Sequence, residues 1–225
     1  MPEEFAFHLK NNDFEIGFSN KYFDFEKFFS GKKFSILKQI HSDIVHRVET
    51  PFSDKEGDGL ITDKKELYLI IKTADCYPVI FYNKKGGFIG AVHSGWRGTH
   101  KNIIKSFKEK ALEYASLKTV LNDTEVIVGP GICGNCYEVK DDVVKLFKKA
   151  GFEDDFFKEE KRKIFLDVRK AINFTLAKEG FLPENIKNIN LCTFEDSTLY
   201  SYRKDKTKIR LYNFIKKINN KKILD

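Results

Sequence analysis

The feature that most constrains this chain is a change of hydrophobic period at Gly98. Before it come short apolar runs of strand length, at residues 14–19, 34–40, 44–49, 67–73, 78–82 and 88–93, separated by turn-forming residues. Asn83-Lys84-Lys85-Gly86-Gly87 joins the last two runs and predicts an antiparallel hairpin. After Gly98, Ile103, Ile104, Phe107, Ala111, Leu112 and Ala115 recur in steps that place them together on one side of a helix. A second helix is predicted behind an Asp167 N-cap, through Val168, Ala171, Ile172 and Leu176, stopping at Gly180 with Pro183 beyond. A third is expected over 141–150, closed by Gly151, and strands return at 125–128, 189–193 and 209–214. Hairpins clustered with helices, without regular alternation, predict an α+β fold of layered mixed and antiparallel sheets flanked by helices.

No linker or repeat divides the 225 residues, so a single domain over 1–225 is expected. A domain of that size buries enough surface to need neither disulfides nor a structural metal, so any metal is expected to serve chemistry. The start, Met1-Pro2-Glu3-Glu4-Phe5, is acidic where an export signal would be basic and then apolar. The apolar stretch at 67–71 is far short of the roughly 20 residues a membrane helix requires. Both point to a cytoplasmic protein with no membrane partner, in which Cys76, Cys133, Cys136 and Cys192 are thiols. The net charge of +7 includes a dense run at Lys204, Lys206, Lys208 and Arg210, then Lys216, Lys217, Lys221 and Lys222. Acids and asparagines interrupt it, so solvated surface is expected there and not a nucleic-acid footprint.

Three segments place a metal-binding residue type at the end of an apolar run: His41, Cys76 within Thr73-Ala74-Asp75-Cys76-Tyr77-Pro78, and His93 within Ala91-Val92-His93-Ser94-Gly95-Trp96-Arg97-Gly98. Gaps of 35 and 17 residues are too wide for a zinc finger, so a folded sheet would have to assemble such a site. Each also has a plain structural reading, Cys76 as a small buried hydrophobe and each histidine as a satisfied strand residue. His-Ser-Gly-Trp-Arg-Gly running from strand to helix offers backbone N–H groups beside Arg97, an arrangement suited to an anion or merely to a tight turn. Cys133-Gly134-Asn135-Cys136 has knuckle spacing but no second cysteine pair to complete it. The zinc-deaminase pattern fails, with Asp43 at the Glu position and Ile132 before Cys133. Five histidines, His8, His41, His46, His93 and His100, are too few for a four-copper centre.

Thr73-Ala74-Asp75-Cys76 with Pro78, the segment 91–98, and Val128-Gly129-Pro130-Gly131-Ile132 running to Cys136-Tyr137-Glu138-Val139 resemble the YfiH-like family. It is also called the laccase-domain or polyphenol oxidoreductase family, and its members are described as purine nucleoside phosphorylases. Gln39-Ile40-His41, Gly57–Thr62, Leu166-Asp167, Cys192-Thr193 and Ser201-Tyr202-Arg203 match as well. The chain departs from the family at Gly17-Phe18-Ser19-Asn20-Lys21 and at Asn135-Cys136, where paired cysteines usually stand. The resemblance implies one zinc held by His41, Cys76 and His93, with copper as the lesser option. It implies phosphorolysis of adenosine, inosine and methylthioadenosine to free base and pentose 1-phosphate, with adenosine deamination as a further activity. Carried onto this sequence, Cys76, His93, Asp75 and Arg97 would be catalytic, and Arg97, Gly98, Tyr137 and Arg203 would bind nucleoside and phosphate. Asp75 reads equally as an orienting or basic carboxylate and as a strand-end residue facing water.

Competing readings remain open on the sequence: a metal-free cysteine hydrolase or deamidase using Cys76 with His93 as its base, a copper-dependent polyphenol oxidase, and a basic binding module.

Overall fold

In the computed structural model, which describes residues 3–219, the apolar runs build two sheets packed face to face. The larger has six strands in the order Ile186–Asn188 (β13), Thr124–Val128 (β9), Tyr77–Asn83 (β7), Phe88–Ser94 (β8), Gly59–Thr62 (β5) and Val45–Arg47 (β4). The second has five, Phe5–Lys10 (β1), Phe14–Ser19 (β2), Leu211–Lys217 (β14), Leu67–Thr73 (β6) and Lys33–Ile36 (β3). Antiparallel pairs predominate, with parallel pairing at β3–β6, β4–β5 and β9–β13.

Successive side chains of a strand point to opposite faces. On β7, Ile80 and Tyr82 face the second sheet, where Ile16, Phe18, Leu69, Ile71 and Ile215 meet them, while Val79 and Phe81 face the helices. With both faces covered, the strand reads in sequence as one unbroken apolar run. The helices on that outer face are Trp96–His100 (α2), Ile103–Ala111 (α3), Leu117–Asp123 (α4), Asp141–Lys149 (α5) and Val168–Lys178 (α6). The far face of the five-stranded sheet is closed by a short helix, Phe25–Phe29 (α1), through a Phe-rich cluster around Phe29, Tyr68 and Phe214. A third, three-stranded sheet is made by Glu138–Val139 (β10), Lys163–Leu166 (β12) and Phe157–Glu160 (β11), and Tyr202–Asp205 (α7) precedes β14. The fold is α+β with layered sheets and flanking helices, as the period change predicts.

The predicted hairpin forms in register from Asn83↔Phe88 to Tyr77↔Ser94. Asp167 caps α6 by accepting from Lys170 N, and Gly180, at φ +93°, ends it. Elsewhere the elements differ from expectation. The strand expected over 34–40 stops at Ile36, after which Gln39 imitates a ladder residue, donating to Lys72 O at 2.7 Å and accepting from Lys72 N at 2.8 Å. The helix expected from Ile103 through Ala115 is α3, capped by the side chain of Asn102 in a left-handed conformation, and it stops at Ala111. The strand expected over 189–193 lies earlier, at β13, because its partner β9 runs into Gly129-Pro130 and proline has no N–H to extend a ladder. The 209–214 strand is shifted to Leu211–Lys217. Lys221 and Lys222, like Met1 and Pro2, lie outside the described residues. Among the described residues no helix is long and apolar enough to cross a membrane.

Candidate metal and anion site

Cys76 lies in the three-residue span between β6 of one sheet and β7 of the other, and His41 lies in the connection between β3 and β4, which also passes between sheets. His93 is near the end of β8, directly opposite Pro78. The hairpin register therefore sets His93 beside the span carrying Cys76. The ligand atoms of His41, Cys76 and His93 all lie within 4.8 Å of one another; Cys76 Sγ is 3.9 Å from His41 Nε2, and the two imidazoles meet edge to face at 4.9 Å. Gly95 is required by this closeness, since a Cβ there would come within 2.6 Å of Cys76 Sγ.

Asp58, fully buried, organises the cluster. Its Oδ1 accepts from His93 Nδ1 at 2.7 Å and from His41 N at 3.1 Å, and its Oδ2 accepts from Ser42 N and Ser42 Oγ, both at 2.6 Å. With Nδ1 donating to Asp58, Nε2 is the nitrogen of His93 turned to the site, and it would give up its proton to serve as a metal ligand. Burial alone would raise the Asp58 carboxyl, but the hydrogen bonds from His93 and Ser42 outweigh it and hold the group at about 2. Burial likewise opposes charge on Cys76 and His93. Their mutual attraction, with His41 beside the thiol and Asp58 beside the imidazole, nonetheless drives the thiol down and the imidazole up. Asp58 is not among the candidate residues of the sequence; its signals there are a carboxylate between two glycines and its place in the Gly57–Thr62 match.

The three ligands stand at the edge of a cavity of about 780 Å³ that also receives Asp75, Trp96, Arg97, Tyr137 and Arg203. Arg97 lies over the Trp96 ring at 4.3 Å and Arg203 over Tyr137 at 5.0 Å, so both guanidiniums are steadied by aromatic faces. Burial and the nearby Cys76 push the Tyr137 hydroxyl up to about 12, against the lowering effect of Arg203. Asp75 is 8% exposed and does not face water: Oδ1 accepts from Thr193 Oγ1 at 2.8 Å and Oδ2 from Arg203 N at 2.6 Å. Its backbone sits at φ +93°, an uncommon conformation for a residue with a side chain, held by these bonds and by Ile132 N donating to Asp75 O. Gly98 is not brought to the cavity. It is buried in α2, where a Cβ would come within 3.4 Å of the His93 and Ser42 carbonyls.

Lys204, Lys206 and Lys208 are exposed, as expected of solvated surface, and Lys206, Lys208 and Arg210 also line the same cavity, together with Lys38 and Lys72. The short α7 and the return into β14 carry them there, and Asp75 is the one carboxylate among the described lining residues. The remaining histidines are elsewhere: His8 bonds Glu15, His46 bonds Glu56 O, and His100 stacks on Trp96. Cys133, Cys136 and Cys192 also lie apart from the ligand trio, and Glu195 joins them in a second cluster.

The family model described as multi-copper polyphenol oxidoreductase laccase matches residues 18–217. The chain belongs to this family. A purine nucleoside phosphorylase of Clostridium acetobutylicum is 36% identical over 188 residues, covering 80% of this chain and 75% of that one. The purine nucleoside phosphorylase YlmD of Bacillus subtilis is 32% identical over 226 residues, covering 92% and 79%. The crystal structure of YlmD from Geobacillus stearothermophilus shares the fold with a TM-score of 0.82 at 21% identity, over 97% of this chain and all of that one. In this member of the laccase-like family, His41, Cys76 and His93 offer one ion a set of two imidazoles and a thiolate.

Proposed function

We propose that this protein is a zinc-dependent purine nucleoside phosphorylase that cleaves adenosine, inosine and methylthioadenosine with phosphate, with adenosine deamination as a side activity. The observation that carries the reading is the placement of an incomplete metal-ligand set at the edge of a cavity rich in cations. Three donors with Asp58 behind one of them suit zinc, which His41, Cys76 and His93 would hold with fewer protein ligands than a closed structural site has. Zinc, when bound, supplies a Lewis acid and a means of activating water near neutral pH. Relatives named purine nucleoside phosphorylase support the substrate class.

Phosphorolysis breaks the bond between the base and the anomeric carbon, which becomes cationic in the transition state, while phosphate oxygen forms the new bond. We assign phosphate binding to Arg97 and Arg203, whose forked donors match its oxygens. Tyr137 offers a ring face and a protonated hydroxyl to the base. Asp58 keeps Nδ1 of His93 protonated and so fixes which nitrogen faces the ion. Asp75, with both oxygens engaged, is a positioning residue that ties Cys76 to Arg203 and Thr193. Gly98, carried over from the family as substrate-binding, is assigned instead to packing between α2 and His93. The acidic start, the short apolar stretches and the interrupted basic run favour a cytoplasmic enzyme acting on small molecules, without nucleic acid or membrane as partner.

A second reading has one observation in its favour. Asp58, His93 and Cys76 stand in the order carboxylate, imidazole, lowered thiol that a metal-free cysteine hydrolase or deamidase uses. Metal analysis of untreated protein, followed by product analysis with adenosine and phosphate, decides between them. Phosphate-dependent adenine release that tracks bound zinc is expected. Thiol-dependent hydrolysis in protein with His41, Cys76 and His93 free of metal would establish the hydrolase, and phenol oxidation tracking copper in native protein would establish the oxidase.

A further inference from the structure

The second cluster is assembled by topology. β9 and β13 are parallel neighbours, so the segments that follow them leave the same end of the sheet side by side. A parallel bridge pairs Gly131 with Cys192, with Thr193 N donating to Gly131 O at 3.2 Å and Gly131 N to Leu191 O at 3.4 Å. Cys133 N then donates to Cys192 Sγ at 3.2 Å, and Cys136 Sγ lies 3.5 Å from Glu195 Oε1. The donor atoms of Cys133, Cys136, Cys192 and Glu195 all fall within 4.8 Å of one another, and all three cysteines are free thiols.

We propose that this cluster is a second metal site, distinct from the His41, Cys76 and His93 trio, that binds one zinc-like divalent ion through three thiolates and one carboxylate. Four donors complete a tetrahedral shell, as structural zinc requires. Zinc–sulfur bonds of about 2.3 Å put neighbouring sulfurs about 3.8 Å apart, so the donors need contract only slightly to close on an ion. The sequence carries the pattern as two pairs of equal spacing, Cys133-x-x-Cys136 and Cys192-x-x-Glu195. The second pair ends in Glu, which is why a search for a second cysteine pair misses it. Without an ion, burial and the crowding of like groups raise the Cys133 and Cys136 thiols. Binding releases the three thiol protons to solvent and replaces that crowding with coordination.

The ion closes the loop that leads into Tyr137, since Tyr137 N donates to Cys133 O, and it clamps that loop to the segment whose Thr193 bonds Asp75. The site is therefore structural support beneath the cavity. A Cys133–Cys136 disulfide is the rival use of these residues. It would leave Cys192 and an adjacent carboxylate without a part to play.

The test is metal content and cobalt spectroscopy on the full chain, purified under reducing conditions and reconstituted with zinc or cobalt. Two equivalents are expected in the wild type, one in Cys76→Ala and one in the Cys133→Ser/Cys136→Ser double variant. Cobalt in Cys76→Ala should show intense thiolate-to-metal charge transfer, which weakens in Glu195→Gln less than in Cys192→Ser. Because the wild-type cobalt titration needs no variant to fold, a single equivalent there, with one-thiolate intensity, would overturn the proposal. So would native protein that is two hydrogens lighter, with a mapped Cys133–Cys136 disulfide. The test reads neither nucleoside nor phosphate turnover, so its outcome is independent of the phosphorylase reading.

Discussion

The two clusters of soft ligands use the same elements of chemistry for opposite ends. His41 and Cys76 come from two connections between the sheets and His93 from the end of β8, and all three stand at a cavity lined by Arg97 and Arg203. Cys133, Cys136, Cys192 and Glu195 come from two adjacent loops, and their four donors face one another. In the first, the protein spends a buried carboxylate, Asp58, on aiming an imidazole and leaves a coordination position free. In the second, the carboxylate is itself the fourth donor. Ligand type matters less than whether the shell is closed, and closure is decided by which backbone segments run parallel.

The sharpest way to break the comparison is at Cys76. Cys76→Ala is expected to abolish turnover, by about 10³-fold or more, while retaining the cluster at 133–195; loss of all metal from this variant would show that the sites are not separate. Gly95→Ala should come next. Its Cβ would collide with Cys76 Sγ, so zinc affinity should fall by at least 10-fold with little change in far-ultraviolet circular dichroism. Arg97→Ala should raise the KM for phosphate about 10-fold or more and leave metal content unchanged, a split that a merely structural arginine would not produce. Cys192→Ser should lower Tm and raise the nucleoside KM several-fold through Tyr137, with a smaller effect on kcat.

The smallest effect is expected far from both clusters, at Glu15. This buried carboxylate accepts from Tyr68 Oη at 2.9 Å and lies near His8, Lys10 and Lys216. Burial pushes it up, but these partners prevail and lower it. A lowered folded-state value gives stability that is present above the unfolded value of about 4.3 and lost as pH falls through the folded one. Glu15→Gln should cost about 1 kcal/mol at pH 7, measured by urea unfolding. The difference from wild type should vanish in strong acid, and at pH 7 the variant should keep the wild-type metal content.

Much of the core was legible because both faces of β6, β7 and β8 are buried and their apolar runs could hardly be anything but strands. β5 was missed because it is only four residues long and starts on a glycine, and β1 because half of it is exposed. At the site, the motifs named the side chains that meet, but not what holds them. Asp58 lies in a segment whose importance depends on pairing with β8, a contact that no local pattern encodes. That Lys206, Lys208 and Arg210 border the cavity is hidden for the same reason: periodicity says nothing about which way a loop returns over the sheets.

One consequence follows from where Cys76 and His41 sit. Each is strung between the two sheets, whereas His93 is anchored within one. A shear of one layer over the other by about an ångström would therefore pull the donors apart while every strand ladder stayed intact. Turnover then works as a vernier on layer alignment, and on heating it should fail before the sheets melt.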